Sequence, residues 1–412
     1  MAKYYLKSII GEIANGIKKM MNEEIIVADK PVIIYGLDRH AFAIRTILDN
    51  YGLNNVECYV SDDEEAVIKF KQDIINFSCK FLNYRTNLID VKTVEERLGN
   101  FDDDVTILIA SDKFEDAKAQ LEKFGYINNK HFYQVFDFKY SKIESLLSKG
   151  KKLNPDELKE AEKSVLKYLD EICGQMGIQY WVCGGSSIGA MRHKGFIPWD
   201  DDIDVYMPWD DYKRFMKEFR DNDRYCLLGF GTDSENDFTD PFAKLGDKRY
   251  IQVENLGTLI KVYPAGLDIF PIVGLPDDKA QRDLVFAKYH ELNRSMWQKF
   301  YATNGDEKVF GEFYKSQLDI LTSNDFNTSN YVGVIGTAYG ARDYCSRTVY
   351  DRTLRAPFED IEVNIPEGYN EYLTNLYGSD WNQLPDESKR KPHHNIDVYD
   401  MGDTEKYNRL FK

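Results

Sequence analysis

The chain has 412 residues, 69 acidic against 53 basic, for a formal net charge of −16 and a pI near 5.0. That balance argues against nonspecific binding to a nucleic-acid backbone, which needs a basic face, and it disfavours an anionic membrane surface. A phosphate-bearing substrate must therefore be held locally, by a metal ion or by a few placed basic side chains.

The length predicts two to three domains at roughly 150 residues each, and the 43% apolar share supplies ordinary cores. No run of about 18 apolar residues is present to span a bilayer. The opening MAKYYLKSIIGEIANGIKKMM lacks the unbroken apolar core and small-residue cleavage site of a signal peptide, so a cytoplasmic location is expected. Ile9, Ile10, Ile13, Ile17 and Met20 fall on one face of a short helix that packs on its own domain or on a second subunit. A homo-oligomer through this N-terminal region stays open. The six cysteines are scattered, with no CxxC pair and no histidine at metal spacing, and read as reduced thiols.

From Val32 to Tyr35 the sequence is a buried-type strand, turning at Gly36 into a helical pattern (Phe42, Ile44, Ile47, Leu48) that closes at Gly52. VECYVSDD and DVTILIASD are two more strands, and Phe114 to Phe124 has helical spacing ending at Gly125. Strand and helix alternate, as in a parallel α/β unit. Asp38 and Arg39 stand where a dinucleotide loop would continue its glycines, so the pattern predicts a Rossmann-like domain over 1–145 without that cofactor.

A polar, basic stretch over 146–155 reads as a linker. Asn154, Pro155 and Glu157 then form a helix start. Leu158, Ala161, Val165, Leu169, Ile172 and Met176 make its apolar face, and Gly177 its stop.

The next segment, IQYWVCGGSSIGAMRHKGFIPWDDDIDVYM, carries the chemistry. Ile178 to Cys183 predicts a strand that exits sharply at Gly184 and Gly185. Ser186 and Ser187 follow with hydroxyls able to meet a phosphate, beside backbone amides that glycine leaves accessible. In Asp202-Ile203-Asp204-Val205-Tyr206 the alternation points Asp202 and Asp204 to one face and buries Ile203 and Val205. Two carboxylates so placed share divalent cations, Mg²⁺ or Mn²⁺, that carry phosphate oxygens. A glycine-serine turn followed by an Asp-x-Asp strand is the signature of the nucleotidyltransferase fold. Asp268, in GLDIFP, offers the third carboxylate from a later strand. Asp200 and Asp201 then flank the metal pair or face solvent. The whole is an α/β and α+β chain, in which a nucleotidyltransferase-like catalytic domain with a mixed sheet and helical additions occupies 156–412.

Arg192 either steadies a donor diphosphate or pairs with Asp200 or Asp201 to hold the loop. Lys244 and Arg249, between the second and third carboxylates, either neutralise phosphate charge or are solvated. Trp199 and Trp209 bracket the acidic strand, for stacking on a base or headgroup or for wedging into the core. His193, His394 and His393 are weaker candidates.

GGSSIGAMRHKGFIPWDDDIDVYMPWDDYKRF resembles the central motif of the LicD family, which includes phosphocholine transferases and relatives of fukutin. LDIFP is similar to its middle motif, and FEDIEVNIPEGYNEYLTNLYGSDWNQLP to its closing stretch. The resemblance implies metal-dependent transfer of a phospho-alcohol group, such as phosphocholine, from a CDP-activated donor to a hydroxyl of a cell-surface glycan or its precursor. It carries the metal pair onto Asp202 and Asp204 and the later acid onto Asp268. The donor phosphates would fall to Gly184, Gly185, Ser186, Ser187, Arg192 and Lys244. Two further readings stay open: nucleotidyl transfer, placing NMP on the product with release of pyrophosphate, and a non-catalytic nucleotide-binding scaffold.

Overall fold

The computed structural model describes residues 5–72, 90–109, 114–136, 147–229, 240–255, 259–321, 324–337, 339–391 and 396–410. His393 and His394 lie outside the described residues.

The first strand, β1 (Tyr5–Ser8), leads directly into the helix Ile9–Asn22, capped by the Ser8 hydroxyl. The apolar face read from the sequence is buried within this chain: Ile9, Ile10, Ile13 and Ile17 are at most 1% exposed. There follow β2 (Val32–Tyr35), β3 (Val56–Ser61), β4 (Asp90–Thr93), β5 (Thr106–Ile109) and β6 (Phe132–Gln134). Among the described residues these five form one all-parallel sheet in the order β4-β3-β2-β5-β6. Helices connect them, as the alternation of apolar runs requires. After β2, Gly36 takes φ +117° and Asp38 caps the helix Arg39–Asn50.

Strand β7 (Lys151–Lys152) falls within the stretch expected to be a linker. The helix Pro155–Met176 has the capping box that Asn154 and Glu157 predict, and it ends at Gly177 in the left-handed region. Then come β8 (Trp181–Val182), β9 (Asp204–Pro208), β10 (Tyr225–Gly229), β11 (Ala243–Asn255), β12 (Leu259–Leu275), β13 (Tyr331–Gly333) and β14 (Tyr344–Ser346). β15 (Thr353–Phe358) and β16 (Ile361–Pro366) make a hairpin of their own, and β17 (Ile396–Asp400) closes the series.

Among the described residues, ten strands form the second sheet, with the long β12 at its centre. β12 runs antiparallel to β11 and parallel to β9, and further along it pairs with β13. It also pairs with β1, so the N-terminal strand belongs to the second sheet and not to the parallel one. Two glycines let β11 and β12 cross closely: a Cβ at Gly266 would lie 1.9 Å from the Leu245 carbonyl oxygen.

No helix among the described residues is long and apolar enough to cross a membrane. The cysteines of the described residues, Cys58, Cys173, Cys183, Cys226 and Cys345, are buried, and none of them is in a disulfide.

Candidate active site

Register builds the site. Asp268 on β12 lies directly opposite Asp204 on β9, and opposite Lys244 on β11. Residues in register on adjacent strands share a face and stand roughly 5 Å apart. Lys244, Asp268 and Asp204 are thus a row across three strands. Along β12 the half-buried Gly266, Asp268 and Phe270 alternate with the buried Leu267 and Ile269, the reason Asp268 is lifted out of an apolar strand. The Lys244 ammonium donates to Asp268 Oδ1.

Asp202 sits just before β9, which begins at Asp204 and not, as the alternation suggested, at Asp202. Carboxylate oxygens of Asp200, Asp201 and Asp202 come within 4.8 Å of one another. Asp200 leans on the glycine turn, where a Cβ at Gly185 would lie 2.6 Å from its Oδ2. Asp204 faces the other side of that turn. A Cβ at Gly184 would stand 3.7 Å from Asp204 Oδ2 and 3.6 Å and 3.7 Å from the hydroxyls of Tyr377 and Tyr339.

One acid was not read from the sequence. Glu162, on the helix Pro155–Met176, is 2% exposed and lines a cavity together with Asp201, Asp202, Lys244 and Asp268. Its Oε2 has no hydrogen-bond partner among the described residues. The signal was available: Glu162 follows Leu158 and precedes Leu166 by four residues each, an acid in the middle of an apolar stripe.

The crowding shows in the proton affinities. Burial, then Asp202 and Asp201, holds the Glu162 carboxyl well above the usual range. Burial, then Asp202 and Asp268, does the same to Asp204. Burial pushes Asp268 up to about 6 against the pull of Lys244. Carboxylates concentrated in a desolvated site are relieved by protons or by a cation. The donor set is all oxygen, with one orphaned carboxylate oxygen, and it fits a hard divalent ion such as Mg²⁺ or Mn²⁺.

Several expected contacts are made differently. Ser187 is fully buried and donates its hydroxyl to the Val182 carbonyl at 2.6 Å, while the Asp204 amide donates to Ser186 Oγ at 3.0 Å. Both serines brace β8 and β9, because the turn folds back onto these strands; Ser187 commits its hydroxyl proton in doing so, whereas Ser186 serves only as an acceptor. The Gly184 amide donates to the Tyr372 hydroxyl at 2.9 Å. Arg192 pairs with neither Asp200 nor Asp201. It donates to the carbonyls of Trp381 and Gln383 at 2.9 Å and 2.7 Å, and to His193 Nε2. Arg249 pairs with the buried Asp247, which Arg224 also reaches. Trp209 stacks on Tyr212, and the Trp199 ring faces the Arg390 guanidinium at 5.6 Å. Lys244 is the basic candidate that reaches the carboxylates.

Residues 177–329 match the family model described as LicD/FKTN/FKRP, nucleotidyltransferase domain. This chain carries a LicD-family domain. The matched span holds Gly184, Asp202, Asp204, Lys244 and Asp268, so the row across β11, β12 and β9 lies inside it. The chain is 29% identical over 253 residues to the lipopolysaccharide cholinephosphotransferase LicD of Haemophilus influenzae, covering 57% of this chain and 94% of that one. It is also similar to the ribitol 5-phosphate transferase FKRP of Homo sapiens and of Mus musculus. That likeness is 40% over 45 residues, 11% of this chain and 9% of each relative.

Proposed function

We propose that the LicD domain transfers a phospho-alcohol group from a CDP-activated donor to a hydroxyl of a cell-surface glycan or its precursor. The single observation that carries this is the row Lys244, Asp268 and Asp204 on three adjacent strands, with Asp202 and Glu162 beside it. The names of the similar proteins, a cholinephosphotransferase and a ribitol 5-phosphate transferase, support the same reaction class.

Asp202, Asp204 and Asp268 would hold Mg²⁺ or Mn²⁺, with Glu162, Asp200 and Asp201 adjacent. When bound, the ion offsets charge on the phosphoryl oxygens and polarises them. The Lys244 ammonium adds fixed positive charge on the same side. An acceptor oxygen forms the new bond to phosphorus, the bond to the CMP oxygen breaks, and CMP leaves with that electron pair. The hydroxyl proton passes to a carboxylate of the site. This route needs no covalent intermediate on the enzyme.

The order of the parallel strands, reversing beside β2, supports a Rossmann-like reading of the N-terminal unit. Its turn after β2 lacks the glycine spacing of a dinucleotide site. The buried cysteines, none in a disulfide among the described residues, support a reducing, cytoplasmic setting.

The test is mass spectrometry of a glycan acceptor after incubation with Mg²⁺ and CDP-choline, CDP-glycerol, CDP-ribitol or CTP. Expected are CMP and an acceptor heavier by a phospho-alcohol. Pyrophosphate with an NMP-sized gain from CTP would overturn the reading in favour of nucleotidyl transfer.

A further inference from the structure

Asp204 has a second neighbourhood, on the side of the glycine turn and away from Lys244. Gly184 adopts φ +53°, and the position a Cβ would take there is ringed by three oxygens: Tyr377 Oη at 3.6 Å, Tyr339 Oη at 3.7 Å and Asp204 Oδ2 at 3.7 Å. Glycine leaves that position open. The two tyrosines come from separate elements. Tyr377 ends the helix Tyr369–Tyr377, and Tyr339 lies just before the 3₁₀ turn Gly340–Arg342. Their rings meet edge-on with centroids 5.5 Å apart, and their hydroxyls hydrogen-bond to each other.

A count of protons shows what this pair can give. Each phenol carries one O–H. The shared bond takes up one of the two protons, and the other has no acceptor among the described residues. The neighbouring phenols are committed: Tyr372 accepts from the Gly184 amide, and Tyr206 donates to Asp343. Burial holds the Tyr339 and Tyr377 phenols above their ordinary value, so both stay neutral and able to donate.

The place of this proton gives it a use. The Gly184 amide, the Ser187 hydroxyl and the Arg192 guanidinium, all expected to meet donor phosphates, bond within the chain instead, and Lys244 bonds to Asp268. An oxygen lodged in front of Gly184 meets a carboxylate and a phenol proton together. A sugar hydroxyl there satisfies Asp204 with its own proton and has no need of the phenol. A phosphoryl oxygen brings no proton and accepts more than one hydrogen bond, so it draws on the phenol, while the cation proposed above offsets the charge of Asp204.

We propose that the Tyr339–Tyr377 pair donates one hydrogen bond to the β-phosphoryl group of the CDP-activated donor, the group that is transferred. The inference rests on the transfer reaction proposed above and adds to it a binding contact on the side of Asp204 opposite Lys244. A hydroxyl fixed in place gains strength as negative charge builds on the oxygen it faces. Both Oη atoms lie equally near the open position, so either phenol alone can fill the role.

The test is calorimetric titration of the full chain in Mg²⁺ with CDP and with CMP, for wild type, Tyr339→Phe, Tyr377→Phe and the double variant. Each substitution keeps the ring and removes only the hydroxyl. Expected for the double variant is a loss of at least about ten-fold in CDP affinity, with CMP affinity within about two-fold of wild type. Each single variant should lose less than about three-fold, since the remaining phenol keeps its own proton. Unchanged CDP affinity in the double variant overturns the inference, and so does an equal loss toward CMP. Single losses that multiply to the double, the pattern of a packing role, overturn it as well. If CDP binding behaves as expected but wild type releases no CMP from CDP-choline, CDP-glycerol or CDP-ribitol, the transfer reaction falls and the phosphate contact stands. If wild type binds neither nucleotide in a Mg²⁺-dependent way, both fall.

Discussion

Asp204 shares its desolvated corner with Asp202 and Asp268, and each ionised neighbour makes its own ionisation dearer. A neutral isostere relieves that repulsion and also removes a ligand. Asp204→Asn should therefore raise the melting temperature in EDTA while lowering transfer by at least about 100-fold, the opposed signs expected where a site trades stability for chemistry. Calorimetry and CMP release measure the two. Asp343 gives a cleaner pH signal. It is 2% exposed, accepts from Tyr206 at 2.7 Å and from Thr337 at 2.6 Å, and burial pushes its carboxyl from 3.8 to about 6. An acid with a raised folded-state value binds its proton more tightly folded than unfolded. Its stabilisation is complete below about 3.8 and is lost as pH rises through about 6, on the order of 3 kcal/mol in all. Urea unfolding of wild type and Asp343→Asn from pH 3.5 to 7 should show the difference between them shifting by that order, wild type losing ground as pH rises. That Asp204 and Asp268 sit on strands was legible in the sequence, because apolar alternation is a local signal. The use of Ser187 and Arg192 was not, since each is decided by a carbonyl that only the tertiary fold brings near: Val182 for one, Trp381 and Gln383 for the other.

At the scale of elements, the glycine turn is held from far along the chain. The helix Tyr369–Tyr377 places the Tyr372 hydroxyl on the Gly184 amide, where Gly184 adopts φ +53°, and Arg192 ties the following turn to Trp381 and Gln383. The closing motif thus acts as a brace for the opening one, although some 190 residues separate them. Periodicity found the capped helix Pro155–Met176 and the strand around Asp268 separately. It could not find the register of β9 against β12, because a parallel neighbour leaves no turn in the sequence to announce it. Tyr372→Phe keeps the ring in its packing and leaves a buried amide without its partner, a loss of about 1–3 kcal/mol. Thermal unfolding should report that loss. Steady-state kinetics should show kcat falling more than the apparent donor affinity, because the displaced turn carries Gly184 alongside Asp204.

At the scale of the molecule, length and strand–helix alternation pointed to two units joined at 146–155, and the described residues build a parallel and a mixed sheet beside the β15–β16 hairpin. The connection between them is more than a linker. β1 pairs with β12 from Tyr5 opposite Val262 to Ser8 opposite Leu259, before the parallel sheet has begun. The helix after it buries its isoleucines in a core that continues through Ile44 and Leu48 to Phe300 and Phe310. The Ser8 amide donates to Glu307 at 2.6 Å, and Asn50 reaches Tyr301 and Asn304. A four-residue strand gives too weak a pattern to be assigned to a sheet built from residues 250 positions later, so sequence reasoning placed it with its neighbours in the chain. The pairing has a consequence for truncation. A fragment of residues 147–412 retains every carboxylate of the site, yet it exposes the edge of β12 over Leu259–Val262 and the apolar faces that the helix Ile9–Asn22 covers. It should express as an aggregating or protease-sensitive species without a cooperative melt. Restoring residues 1–30 as a separate peptide should raise its protease resistance, since that segment supplies both the missing strand and the missing isoleucines. A fragment that melts cooperatively and releases CMP at the full chain's rate would show instead that β1 is dispensable, and that the second sheet is complete from β7 onward.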